Sequence, residues 1–295
     1  MGVITVGSPL FSVVGTAGMT TLITKKLGGD YRPFYIAIAV LLVIVAVVVA
    51  FAIKDTPEDA GLYPDGANHP LKSEGDGEEV KLTIKDILST KKGWQVIISF
   101  GALTFIINAC MGSMAMRYIT LGGGEPTIWL QAVKYLSIGA ILGIPMSYVF
   151  GLIDDKVGTV KAAIVLGLCE LLPILGLMLQ PEGGSKVLML VWGFGVACMT
   201  GGVPSLHPCI MAFAYGRREY QAANRIIMAI QLIPSAVAAQ IMVGFMQRGQ
   251  TTTAYIMLLI VLAVGIITLL TMLGMKDANA ACLLYTSPSP RDISG

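Results

Sequence analysis

Eight stretches of this chain are long and apolar enough to cross a bilayer. They run roughly Val3–Thr24, Phe34–Ile53, Trp94–Met116, Thr127–Gly151, Ala162–Leu179, Val187–Tyr215, Ile226–Gln247 and Thr253–Met275. A helix needs about 20 mostly apolar residues to span the hydrocarbon. Most of these segments contain no Asp, Glu, Lys or Arg at all. Inside a bilayer every backbone polar group needs an internal partner, so only helices and closed barrels span it. The segments show no period-2 alternation and are about twice the ~10 residues of a barrel strand. The expected fold class is therefore an all-α polytopic membrane protein with eight transmembrane helices.

Composition agrees. Charged residues make up 13% of the chain, against about 25% in soluble domains. The Lys and Arg residues sit between spans and form no basic face, so nucleic acid is not an expected partner. Cys110, Cys169, Cys198, Cys209 and Cys282 form no CxxC pair and show no metal-ligand spacing. No metal site and no cofactor are expected. No signal peptide is needed to explain the N-terminus, which opens directly into a span.

Lys and Arg placement gives the orientation. With the loop from Lys54 to Lys92 in the cytoplasm, that side carries eleven of these residues between spans and the outer side carries six. Both ends of the chain then face the cytoplasm. The segment Lys54–Glu79 is acidic and rich in Gly and Pro, which reads as a flexible linker. Lys81–Lys92 places Leu82, Ile84, Ile87 and Leu88 among lysines. A short amphipathic surface helix and an ordinary loop helix both fit it. Residues 282–295 resemble a translated cloning linker and are set aside from the fold. The domain expectation is thus residues 1–53, a linker over 54–92, a six-helix unit over 93–276, and a tail over 277–295.

One loop carries more information than the rest. Gly151, Asp155, Lys156, Gly158 and Lys161 resemble the G-xxx-D-(R/K)-x-G-xx-(R/K) motif of the major facilitator superfamily, although Thr159 stands where a basic residue is usual. Gly29–Pro33, Asp55–Gly66, Ser89–Trp94 and Gly216–Asn224 resemble other family segments: the outer loop before the sixth helix, the central loop, and the entries to the seventh and eleventh helices. The resemblance is closest in appearance to bacterial oxalate/formate- or monocarboxylate-type members. It implies a truncated twelve-helix fold in which the eight spans are helices five to twelve. It also implies a plasma-membrane secondary transporter that works by alternating access, with no enzymatic activity. Met1 would then be an internal position of the family fold. The motif would serve as a cytoplasmic gate, with Asp155 near the start of the first span, around Val3–Ser8. A solvated turn that only limits loop length is the alternative.

Candidate pathway residues are Lys134, Gln131, Asn108, Asn224, Arg225, Gln231 and His207. Lys134 lies inside the fourth span, with Gln131 and Ser137 on the same helical stripe. A cation there suits an anionic substrate, and snorkelling to the headgroups is the competing explanation. Asn224, Gln231 and Ser235 share a face of the seventh span, Pro234 is placed to kink it, and Arg225 sits where it could anchor at headgroups. Asn108 fits either a helix–helix hydrogen bond or a cavity contact. Glu170 reads as a neutral or inter-helix-bonded carboxyl. Gly193, Gly195, Gly201, Gly202, Pro204 and Pro208 fit either close helix contact or a break beside a cavity, with His207 in that break. The expected partners are a small solute, possibly a carboxylate, a proton or counter-substrate, and membrane lipid. The full-length protein is expected to act as a monomer. A channel, a scaffold or an intramembrane enzyme is the alternative class, although no nucleophile–base set appears.

Overall fold

The structure, a computed structural model, describes residues 30–52, 82–123, 126–276 and 278. Among these residues there is no strand. The helices are α1 (Arg32–Ala52), α2 (Ile84–Leu88), α3 (Lys91–Leu121), α4 (Pro126–Val157), α5 (Thr159–Cys169), α6 (Leu171–Met178), α7 (Lys186–Gln247) and α8 (Thr251–Met272). Gly216, with φ 67°, divides α7 into two arms, α7a (Lys186–Gly216) and α7b (Glu219–Gln247). Helices α5 and α6 together make one span, Thr159–Met178, interrupted at Glu170.

Among the described residues, seven helices are long and apolar enough to cross a membrane. Each coincides with one of the expected spans. The eighth, Val3–Thr24, lies outside the described residues, as do most of the linker and nearly all of the tail. The fold is all-α and polytopic. Helix α1 belongs to one compact unit, and the residues from 82 onward belong to another. No residue in the apolar stretch of α1 is buried.

In the larger unit, α7a is the most buried span. Its glycines explain how neighbouring backbones come so close. Gly139, Gly143 and Ser147 of α4 recur every fourth residue, and so do Gly193, Ala197, Gly201 and Ser205 of α7a. A Cβ on Gly139 would strike the carbonyl oxygen of Gly193, and one on Gly201 would strike that of Gly143. Ser147 and Ser205 then share a hydrogen bond of 2.6 Å. On another side of α7a, Gly195 lies against Pro173, and Gly176 lies against the backbone of Trp192. Association without a hydrophobic driving force depends on such small-residue contact. Close contact therefore accounts for the glycines. The alternative considered, a break in the helix, does not occur: α7a remains helical through Pro204, His207 and Pro208.

Two polar arrangements fix the ends of this unit. At the end of α3, Arg117 donates to the carbonyls of Leu177, Met178 and Gln180, which closes the C-terminus of α6. At its start, α2 is only five residues long. Thr83 and Asp86 form a capping box there. The Thr83 hydroxyl and backbone N–H both donate to the Asp86 carboxylate and hold it below the usual aspartate range. Ile87 is buried in the core, and Trp94 Nε1 donates to the Leu88 carbonyl at 2.8 Å. The end of the expected linker is thus docked onto the helical unit.

Gly201→Ala should destabilise the unit by about 1–3 kcal/mol through overpacking. Gly244, with open space around its Cβ position, is the control. Thermal unfolding in detergent should show a lower midpoint for Gly201→Ala and an unchanged or higher one for Gly244→Ala.

Candidate functional site

Three spans line a half-open cavity of about 380 Å³. Helix α3 contributes Thr104 and Asn108, α7a contributes Pro204, His207 and Pro208, and α7b contributes Tyr220, Asn224, Gln231 and Ser235. Four of the seven sequence-derived pathway residues, Asn108, His207, Asn224 and Gln231, therefore meet on one surface. The shared face of Asn224, Gln231 and Ser235 is the wall formed by α7b.

The wall is mostly apolar, with Val203, Pro204, Pro208, Met228 and Leu232 among its residues, and a few polar groups are set into it; no lining residue is Asp, Glu, Lys or Arg. Gln231 is its keystone. Its Nε2 donates to the carbonyls of Val96 at 3.0 Å and Ile97 at 3.4 Å, and its Oε1 lies 2.9 Å from His207 Nε2. One side chain thereby joins all three spans. His207 also packs edge-on against Phe100, with ring centroids 5.3 Å apart. Several hydroxyls and amides bond back along their own helices: Thr104 to Phe100, Asn108 to Thr104, and Ser235 to Gln231. Asn224 Oδ1 is buried without a partner. A buried acceptor left unmatched costs about 1–3 kcal/mol. The prolines have a local meaning as well. Pro208 has no N–H, so the usual helical bond to the Pro204 carbonyl cannot form.

Lys134, Gln131 and Arg225 do not line this cavity. All three are exposed, on α4 and α7b. Lys134 has no ion-pair partner among the described residues, where the single ion pair joins Lys92 to Glu219 at 3.3 Å. Lys92 Nζ also stands 4.4 Å from the centre of the Tyr215 ring. This cluster ties the start of α3 to the joint at Gly216. The spans alone gave no sign of it, because it combines residues 123 or more positions apart. Glu170 is fully buried at the α5–α6 break, and neither carboxylate oxygen has a hydrogen-bond partner. The inter-helix hydrogen bond considered for it is absent.

The segment Gly151–Lys161 differs from the loop its charges suggest. It is a helical end and not an open loop: α4 continues through Val157, and α5 begins at Thr159. Gly158 alone turns the chain, with φ 90° and ψ 154°. Its N–H donates to the Asp154 carbonyl at 2.9 Å, and its carbonyl accepts from Ala162 at 3.0 Å. Asp155, Lys156 and Lys161 are exposed, and Gly151 is an ordinary helical residue with open space beside it. The proposed neighbour of Asp155, around Val3–Ser8, lies outside the described residues.

The family model described as Major Facilitator Superfamily matches residues 1–239. The chain belongs to this superfamily. Its members are membrane transporters, so this chain is one by descent. Searches of curated proteins and of solved structures returned no match.

The two motif glycines should respond differently to substitution. Gly158 occupies a backbone region that side chains avoid, at about 1–3 kcal/mol. Gly158→Ala should therefore lower the unfolding midpoint, whereas Gly151→Ala should leave it unchanged or raise it. Both are read from thermal melts of the purified protein.

Proposed function

We propose that this transporter is a secondary carrier of a small organic anion and works by alternating access at the cavity between α3, α7a and α7b. The observation that carries this reading is the convergence of Asn108, His207, Asn224 and Gln231, from three separate spans, on one cavity of about 380 Å³. That volume falls within the range of about 300–1,000 Å³ common for small-molecule sites. Lys134 supports the anionic substrate. It lies eight residues into α4, which is about 12 Å from the helix start, and it is exposed without a carboxylate partner among the described residues. A cation reached by water at that depth would attract anions toward the transport path, although it stands outside the cavity itself.

Orientation belongs to the same reading. In the unit from residue 82 onward, the helix ends at Lys85–Lys92, Lys156–Lys161, Arg217–Arg218 and Lys276 carry eight basic residues. The opposite ends carry Arg117, Lys186 and Arg248. The first set faces the cytoplasm under the positive-inside rule. The Gly158 joint and Asp155 then lie on the cytoplasmic side, where the motif acts as part of the gate. No nucleotide-binding signature occurs in the sequence, and an ion or solute gradient supplies the energy.

Proteoliposomes loaded with oxalate, formate, acetate or lactate provide the test. Saturable uptake with counterflow is expected for at least one of them. Lys134→Met should reduce that uptake by tenfold or more, about 1.4 kcal/mol or more, with insertion unchanged. Non-saturating flux, or uptake indifferent to Lys134→Met, would overturn the reading.

A further inference from the structure

The hydrogen bonds around Gln231 determine which nitrogen of His207 carries its proton. Main-chain carbonyls only accept, so the amide nitrogen of Gln231 must face Val96 and Ile97, at 3.0 and 3.4 Å. Its oxygen is then directed at His207 Nε2, 2.9 Å away. An amide oxygen also only accepts. His207 Nε2 therefore bears a hydrogen in both the neutral and the protonated ring. Nδ1 of the neutral ring is left as a lone pair. It has no partner among the described residues, and it is not among the polar atoms sealed without one.

The surroundings make this atom distinctive. Helix α3 presents Thr104 and Asn108 to the cavity, α7b presents Tyr220, Asn224, Gln231 and Ser235, and α7a adds two prolines and Val203. Neither α4 nor α5 contributes a lining residue, charged or otherwise. Tyr220 is the other lining side chain with an ionisable proton. His207 carries the one imidazole on this wall, a side chain that gains a charge when its second nitrogen takes up a proton. Protonation turns Nδ1 from an acceptor into a donor and leaves the Gln231 contact intact.

We propose that His207 Nδ1 sets the charge preference of the cavity, so that a carboxylate substrate binds together with one proton shared between Nδ1 and a carboxylate oxygen. The proton comes from water on the loading side and returns to water on the release side, with the substrate or after it. No bond between heavy atoms forms or breaks. Gln231 is the positioning residue, because it fixes the ring tautomer through α3. This assignment rests on the cavity being the solute site of the transporter.

The chain contains two histidines, His69 and His207, so His69→Asn leaves a single imidazole to observe. The expected ¹⁵N NMR spectrum of that protein in lipid nanodiscs at pH 8 shows one neutral tautomer, protonated at Nε2. Gln231→Leu should produce a mixture of tautomers. Adding acetate or oxalate near neutral pH should convert Nδ1 to its protonated signal. In proteoliposomes, uptake should rise up to about tenfold per unit of falling external pH, and His207→Gln should remove that slope. A neutral ring protonated at Nδ1 would overturn the assignment on its own. So would carboxylate uptake that is lost in Lys134→Met but keeps its pH slope in His207→Gln, and that outcome leaves the transporter reading standing. Absence of carboxylate uptake by the unmutated chain would overturn both.

Discussion

The larger unit depends on how closely α4 and α7a approach each other. Water drives soluble helices together, but lipid chains are as apolar as leucine and supply no such force. What remains is dispersion and direct backbone contact, which fall away within a fraction of an ångström. Gly139 and Gly143 against Gly193 and Gly201, with Ser147 and Ser205 completing the register, give the contact its reach. Because α7a is held this way on the α4 side and against α6 through Gly195 and Gly176, its remaining face is presented to α3 and α7b. That face carries Pro204, His207 and Pro208.

Polar chemistry is then confined to places where it can be satisfied or used. Arg117 is committed to three carbonyls at the end of α6 and in the turn beyond it. Gln180 accepts from the Ser185 backbone and donates to Tyr118. These bonds close chain ends that lipid could not solvate. The bond set of Gln231 differs. It ties α7b to α3 and orients a ring on α7a, so removing it would disturb the packing of three spans as well as the cavity.

The spans were legible because apolar length alone requires them, and seven of the eight coincide with helices among the described residues. Their limits were less legible. Helix α3 begins at Lys91 and ends at Leu121, whereas the apolar stretch runs from Trp94 to Met116. Hydropathy measures what lipid tolerates, but backbone hydrogen bonding continues into the polar ends. The same effect hid Leu152–Val157, whose charges look like a loop although its residues remain helical. Asn224, Gln231 and Ser235 were legible as one face from their spacing. That Lys134 and Arg225 stand outside the cavity was not legible, because helical spacing places a side chain on a face without saying which neighbour that face meets. The Val96 and Ile97 carbonyls were also out of reach, since any residue type supplies a main-chain acceptor.

The joint at Gly216 has a mechanical meaning. It connects two long helices through a single non-helical residue, with no loop to absorb a change of angle. Helix α7b is 29 residues long, which at ~1.5 Å per residue makes an arm of about 44 Å. A rotation of roughly 10° at Gly216 would displace the far end of such an arm by about 8 Å. Lys92 touches Tyr215 on one side of the joint and Glu219 on the other, so α3 meets both arms beside the joint, and any such rotation would have to pass through that contact.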